Sequence, residues 1–388
     1  MDIDNKISAE AEKGGPQISR MIGSGKVSIR RILGNALLFA AVLGLTAFVV
    51  FRQVTPEEIL KALESLSPPF IVGGLAAMGV YMVMESLNIR RVTAVTGIKL
   101  RFHKAFKYAV LGFFFSSVTP ASTGGKPMQI LFMYRDGHSV SKSTLSLIFE
   151  VMNYELVMAV YAVLGYITQR RLLVMALGKI RFALLFGISV NVLVTVLLIL
   201  SIFSRGTIEF FSRLAARIVG AFARDKADAA AAKVKSIAAE YQECSVYIKG
   251  NKPVMVKTFL TACVQLFAMF SVPYFVYVGF GLGDYNILQV VMLEAVAYVS
   301  LAFLPVPGAI GASEGVLVMI FRILFPQSLV ATAMLLSRSL MYYLIVIASG
   351  AAVLFFMRIS AARRRRAERE AIDKEQLDNM PYDIGSGR

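Results

Sequence analysis

Long apolar runs recur along the whole chain: Leu33 to Phe51, Phe70 to Asn88, Ser143 to Thr168, Phe182 to Phe203, Val254 to Phe280 and Leu329 to Met357. Each approaches or exceeds the roughly 20 residues that a helix needs to cross hydrocarbon. A backbone inside a bilayer finds no water, so every N–H and C=O must be satisfied within the structure. Composition agrees: 57% of the 388 residues are hydrophobic and 17% are charged, against roughly 25% charged in soluble domains. The expected fold class is an all-α integral membrane protein with about six full transmembrane helices.

The formal charge of +16 would suggest nucleic acid on a soluble chain. Here the basic residues flank the apolar runs, as the positive-inside rule requires, and they suit anionic lipid headgroups; nucleic acid is not an expected partner. Residues 1–25 read as a disordered cytoplasmic tail, 26–358 as the transmembrane domain and 359–388 as a basic cytoplasmic tail. Both termini are placed on the cytoplasmic side of a bacterial inner membrane. The loop from Arg90 to Lys107 is cytoplasmic by the same rule, and the loop Gln169–Arg181 is placed outside, against it. Within 204–254, Ile208, Phe211, Ala215, Ile218 and Phe222 recur at helical spacing beside Arg213 and Arg217. That pattern suits a cytoplasmic amphipathic connector on the bilayer surface or a plain solvated helix.

Two interruptions break this pattern. The first runs from Val118 to Gln129, VTPASTGGKPMQ. Irregular backbone at membrane depth survives only when buried in protein or facing a wet cavity. Gly124 and Gly125 allow close approach, and Pro127 suits the first turn of a new helix. Free N–H groups at that helix start attract anions. With Thr119, Ser122, Thr123, Lys126 and Gln129, this stretch is a candidate phosphate cradle; the alternative is a tight turn whose hydroxyls satisfy its own backbone. The second runs from Pro305 to Gly315, PVPGAIGASEG. Pro307 stops one half-helix, Gly308 and Gly311 permit reversal, Ser313 is expected as the N-cap of the returning half-helix, and Glu314 sits in its first turn.

Basic flanks put the first interruption in a re-entrant hairpin open to the cytoplasm. The second hairpin opens outward, giving two oppositely oriented re-entrant hairpins in an inverted repeat. Ile287 to Leu304 is nearly long enough to cross outright, which would replace the second hairpin with a span. Paired broken segments in the two halves of a chain point to a transporter site.

Ionisable residues inside spans are costly and usually functional; Glu150, Glu155, Glu294, Arg322 and Arg338 qualify. Glu150 and Glu155 do not share a helix face well, so at least one is expected to have a structural partner. Arg338 has Glu294, Glu314 or a lipid phosphate as candidate partners, and Glu85 lies near enough to an end to reach water. No GxSxG, Walker or metal-ligand motif is present, and Cys244, Cys263, His103 and His138 have no ligand spacing. No cofactor, metal or catalytic activity is expected.

Thr119-Pro120-Ala121, Gly124-Gly125, Pro127-Met128-Gln129 and Glu150, with Pro305-Val306-Pro307-Gly308, Gly311 and Glu314-Gly315, resemble the two signatures of the lysylphosphatidylglycerol synthase transmembrane region, also called the flippase-like UPF0104 family. Ala309 stands where that family often has a second Gly. The resemblance covers roughly residues 30–360 and implies a bacterial inner-membrane protein linked to lipid translocation. Multi-domain members carry an aminoacyl-transferase domain after the membrane part; this chain ends in a short tail, so lipid aminoacylation is not expected of it.

The resulting expectation is a flippase for a phosphate-bearing lipid: an anionic or aminoacylated phospholipid, or a polyprenyl phosphate. Thr119, Ser122, Thr123, Gly124, Gly125, Lys126, Gln129, Pro307, Gly308, Gly311, Ser313, Glu314 and Arg338 would hold the headgroup, and Glu150, Glu155 and Glu294 would couple charge. Homo-oligomerisation is compatible with this reading. The alternatives are a small-solute or ion transporter, a membrane subunit of a headgroup-modifying enzyme, and a membrane scaffold.

Overall fold

The computed structural model describes residues 57, 61, 63–119, 122–178, 181–203, 250–301 and 312–358, and every regular element among them is helical. The expected first span, the 204–249 part of the connector, most of the second interruption and both tails lie outside the described residues.

The helices are α1 (Pro68–Val95), α2 (Phe102–Val118), α3 (Gly125–Arg135), α4 (Val140–Thr168), α5 (Arg170–Leu177), α6 (Arg181–Phe203), α7 (Lys252–Phe270), α8 (Val272–Gly279), α9 (Ile287–Leu301), α10 (Ala312–Leu324) and α11 (Val330–Arg338). A π-helical turn, Ser339–Tyr343, follows α11, and the helix then continues to Arg358. Among the described residues, four helices are long and apolar enough to cross a membrane: Pro68–Val95, Lys142–Thr168, Lys252–Gly279 and Val330–Arg358. The expected span at Phe182–Phe203 is helical as α6, with a shorter apolar stretch, Leu184–Leu197.

Two boundaries differ from the sequence reading. Arg90 and Arg91, expected in a loop, belong to the last turns of α1. There the Arg91 guanidinium donates to the Lys257 carbonyl at 3.0 Å, and also to the Thr261 hydroxyl, so the start of α7 holds that end of α1. The expected loop Gln169–Arg181 contains α5, which Leu173, fully buried, pins to the bundle. The span expected over Val254–Phe280 is met by Lys252–Gly279, where α7 gives way to α8 at Ser271 with Pro273 in the new first turn; proline removes a helix donor and clashes with the preceding turn.

Two pairs of shorter helices fold back on themselves. In α2–α3, Gly124 N–H donates to the Thr119 hydroxyl at 2.8 Å, Gln129 donates to the Tyr108 carbonyl at 2.9 Å, and Lys107 and Tyr108 both donate to Asp136, at 2.9 and 2.7 Å. As α3 advances, its partners on α2 recede, which is antiparallel pairing. A Cβ on Gly125 would meet Ser116 Oγ at 2.0 Å and the Gly112 carbonyl at 2.6 Å, so glycine is what lets the helices touch there. The second pair is α9–α10. Tyr277 accepts the N–H groups of Asp284 and Tyr285 just before α9, and its ring packs edge-on against Phe325 just after α10. The outer ends of α9 and α10 therefore meet at one level.

The mouths of these hairpins open at opposite ends of α1. Thr96, capping the C-terminal end of α1, shares a 2.8 Å hydrogen bond with Ser146 just beyond the α2–α3 mouth. At the other end, Leu66 and Phe70 pack on Gly279 beside the α9–α10 mouth. Helix α9 is the axis of the core: Val290, Val291, Leu293, Ala295, Val296, Ala297 and Val299 are all fully buried. Gly165 of α4 and Gly187 of α6 press on its backbone at Met292 and Ser300, the small-residue contacts by which membrane helices approach closely. The outer face is apolar instead, with Val72 63%, Leu193 57%, Leu260 57% and Phe355 61% exposed. An apolar exterior around buried Glu85, Glu150 and Glu294 is the arrangement that lipid as solvent selects.

Candidate functional site

The tip of the α2–α3 hairpin carries Lys126 to the middle of the bundle. Its ammonium lies 3.2 Å from Glu85 Oε1 of α1 and contacts Glu150 Oε2 of α4. Gln265 of α7 donates to Glu85 Oε2 at 3.0 Å, and Asn88 donates to Gln265 Oε1 at 3.4 Å. Four helices thus converge on one polar cluster. Glu85, expected near water, is 8% exposed, because α1 continues to Val95 and leaves it well inside the helix.

A second polar region lies toward the other hairpin. Arg338 ends α11 where the π-turn begins, and it interacts electrostatically with Glu294 of α9. Short π segments inside α-helices are frequent at functional sites. Among the described residues, Glu294 Oε2, Ser337 Oγ and Asn191 Oδ1 are buried without a hydrogen-bond partner. Asn191 donates to Glu155 at 2.9 Å, so Glu155 and Glu150 do face different partners. Tyr342 of the π-turn donates to the Ser117 carbonyl at 2.6 Å, tying that turn to the end of α2.

Several expected headgroup ligands do other work. Thr119 donates to the Phe115 carbonyl at 2.7 Å while accepting from Gly124; its hydroxyl closes the turn, the alternative weighed above. Gln129 is fully buried and fastens α3 to α2. Gly124 and Gly125 serve close packing against Thr119 and Ser116. Lys126 sits on carboxylates. Ser122 adopts φ 55°, a left-handed conformation that non-glycine residues seldom hold, and Thr123 is engaged in the same tip. Pro307, Gly308 and Gly311 lie outside the described residues. Ser313 and Glu314 fall within helix α10, which is helical from Ala312, so Ser313 is inside the first turn and not at the N-cap position.

Sequence reasoning missed Gln265, Asn88, Asn191 and Tyr342. Amides in the middle of apolar runs were a usable signal, since a polar group in hydrocarbon needs a partner.

The match to known proteins follows these features. The model of the family described as "Lysylphosphatidylglycerol synthase TM region" matches residues 32–349. A UPF0104 membrane protein of Archaeoglobus fulgidus is 19% identical over 302 residues, spanning 76% of this chain and 88% of that protein. With its apolar exterior, four membrane-length helices and a family match over most of its length, this multi-pass membrane protein belongs to the lysylphosphatidylglycerol synthase transmembrane-region family.

Proposed function

We propose that the protein moves a phosphate-bearing lipid between the leaflets of the bacterial cytoplasmic membrane, with both termini in the cytoplasm. The observation that carries this reading is the pair of antiparallel hairpins with mouths at opposite ends of α1 and buried ionisable groups between them. Helix α2 is about 26 Å long and α3 about 16 Å at 1.5 Å per residue, both short of the roughly 30 Å hydrocarbon core. Such hairpins act as re-entrant elements that let irregular backbone reach membrane depth inside protein. The headgroup would cross between Lys126 and Arg338 while the acyl chains stay in lipid.

The chemistry of the two regions divides the labour. Arg338, a planar donor fork suited to phosphate, would take the headgroup beside the π-turn, where spare acceptors on Glu294 and Ser337 receive its hydroxyl or amine donors. Ser122, Thr123 and Lys126 at the first tip, with Ser313 and Glu314 at the start of α10, would line the remaining path. Glu150, Glu155 and Glu294 would keep charge balanced during the passage. No catalytic step is needed for this reading.

The test is translocation of labelled phosphatidylglycerol, aminoacylated phosphatidylglycerol and a polyprenyl phosphate in vesicles containing the purified protein. Acceleration of at least one lipid, lost in Arg338→Ala, is the expected result. No acceleration of any of them defeats the reading. A second reading, transport of a small cation, is favoured by the net negative charge of two carboxylates on one ammonium; solute-dependent thermal stabilisation without lipid dependence would select it.

A further inference from the structure

We propose that Glu85, Glu150 and Lys126 form a proton-binding site, and that protonation of its carboxyl pair releases the Lys126 ammonium toward the translocation path. The coupling half of this inference rests on the lipid-transport reading; the proton site itself does not.

The argument is one of hydrogen and charge balance. Ionised carboxylates are acceptors only, and here a single ammonium, that of Lys126, contacts both Glu85 and Glu150, two buried carboxyl groups, so a proton on one of them is what balances the charge. With that proton the cluster is neutral: one carboxylate, one carboxylic acid and one ammonium. Without it the cluster carries one net negative charge at a depth where such a charge is costly. Gln265 fixes the far oxygen of Glu85 at 3.0 Å, and the buried Asn88 Oδ1 behind it has no hydrogen-bond partner among the described residues. That acceptor offers a place for a donor arriving with the proton.

A second proton has a definite consequence. It adds to the remaining carboxylate oxygen, both acids become neutral, and the ammonium of Lys126 loses its counter-ions. Lys126 sits in the first turn of α3 at the hairpin tip, where a freed ammonium can pair with a phosphate. Release of the protons restores the closed cluster and expels the phosphate. The ionisable surroundings are consistent with a dedicated site. Tyr81 of α1 and Tyr154 of α4 lie on the two helices that carry the carboxyls, one turn from Glu85 and Glu150, and Tyr342 of the π-turn donates to the Ser117 carbonyl at the end of α2. Helix α3 supplies Lys126, and α7 supplies the neutral Gln265.

The experiment is an infrared pH titration of the full chain in phosphatidylcholine–phosphatidylglycerol nanodiscs, comparing wild type with Glu150→Gln and Glu85→Gln. In either variant the surviving carboxylate pairs with Lys126, so one protonated-carboxyl C=O band present in wild type at neutral pH is lost. If one variant does not fold, the other gives the same readout. Absence of that band difference overturns the proton site. In vesicles, an inward or outward pH gradient should change the rate of labelled-lipid movement in wild type and not in Glu150→Gln. Lipid movement that ignores pH gradients but follows a sodium gradient overturns the coupling. A band difference without movement of any lipid upholds the proton site and defeats the lipid reading alone.

Discussion

The two buried charged regions solve the same problem in different ways. At Glu85–Lys126–Glu150, three helices bring opposite charges into contact and a fourth adds an amide, so nearly every valence is used. At Glu294–Arg338, the charges interact, yet Glu294 Oε2 and Ser337 Oγ keep unused hydrogen-bonding capacity among the described residues, and the helix carrying Arg338 widens into a π-turn directly afterwards. A closed cluster can bind something new only by exchanging a partner. An open one can bind by addition. The first therefore has the character of a latch and the second that of a receptor.

Lys126→Ala should do the most damage to this contrast. Removing one partner of a buried ion pair leaves an uncompensated charge and costs on the order of 3–5 kcal/mol, read as a large fall in thermal stability in detergent. A cost near zero would show that the cluster does not latch α3. Arg338→Ala should cost less, about 1–3 kcal/mol for buried polar groups losing a charged partner, while abolishing lipid movement; retained movement in a stable variant would end the receptor reading. Gly125→Ala should cost about 1 kcal/mol, the low end of overpacking, because the new methyl must displace Ser116 and meets the Gly112 carbonyl. Its effect should appear as a loosened hairpin in hydrogen exchange at α2 and α3.

The smallest effect lies at the hairpin mouth. Burial pushes the Asp136 carboxyl up, but the Tyr108 hydroxyl and the Lys107 ammonium outweigh it and hold the group below the usual carboxylate range. A lowered folded-state value means that the contact stabilises above the ordinary carboxylate pKa and is lost as pH falls through the lower folded one. A partly exposed pair contributes under about 1 kcal/mol. Asp136→Asn should thus flatten the acid side of the stability curve slightly, measured by thermal unfolding against pH. An unchanged curve would show that the mouth is held by α2–α3 packing alone.

Helix identity was legible because hydrocarbon leaves a long apolar run few alternatives; α4, α6 and the last span start or end within a few residues of their expected limits. The break between α2 and α3 was legible too, from run length and from glycine and proline between the runs. What the residues at the first tip do was not. Thr119 and Gln129 are the right types for an anion cradle and equally right for closing a turn and locking two helices, and local sequence cannot separate these uses.

From the order of residues alone come the membrane setting, the positions of most helices, the break before α3 and the list of ionisable groups that had to find partners. Only the packed structure decided who those partners are. Lys126 and Glu150 are 24 residues apart, Lys126 and Glu85 41, and Gln265 and Glu85 180, and no local rule links positions so distant. Burial forces each charge to seek a counter-charge, but which one it meets is set by how α1, α3, α4 and α7 cross, and those crossings depend on side-chain shape along the whole length of each helix.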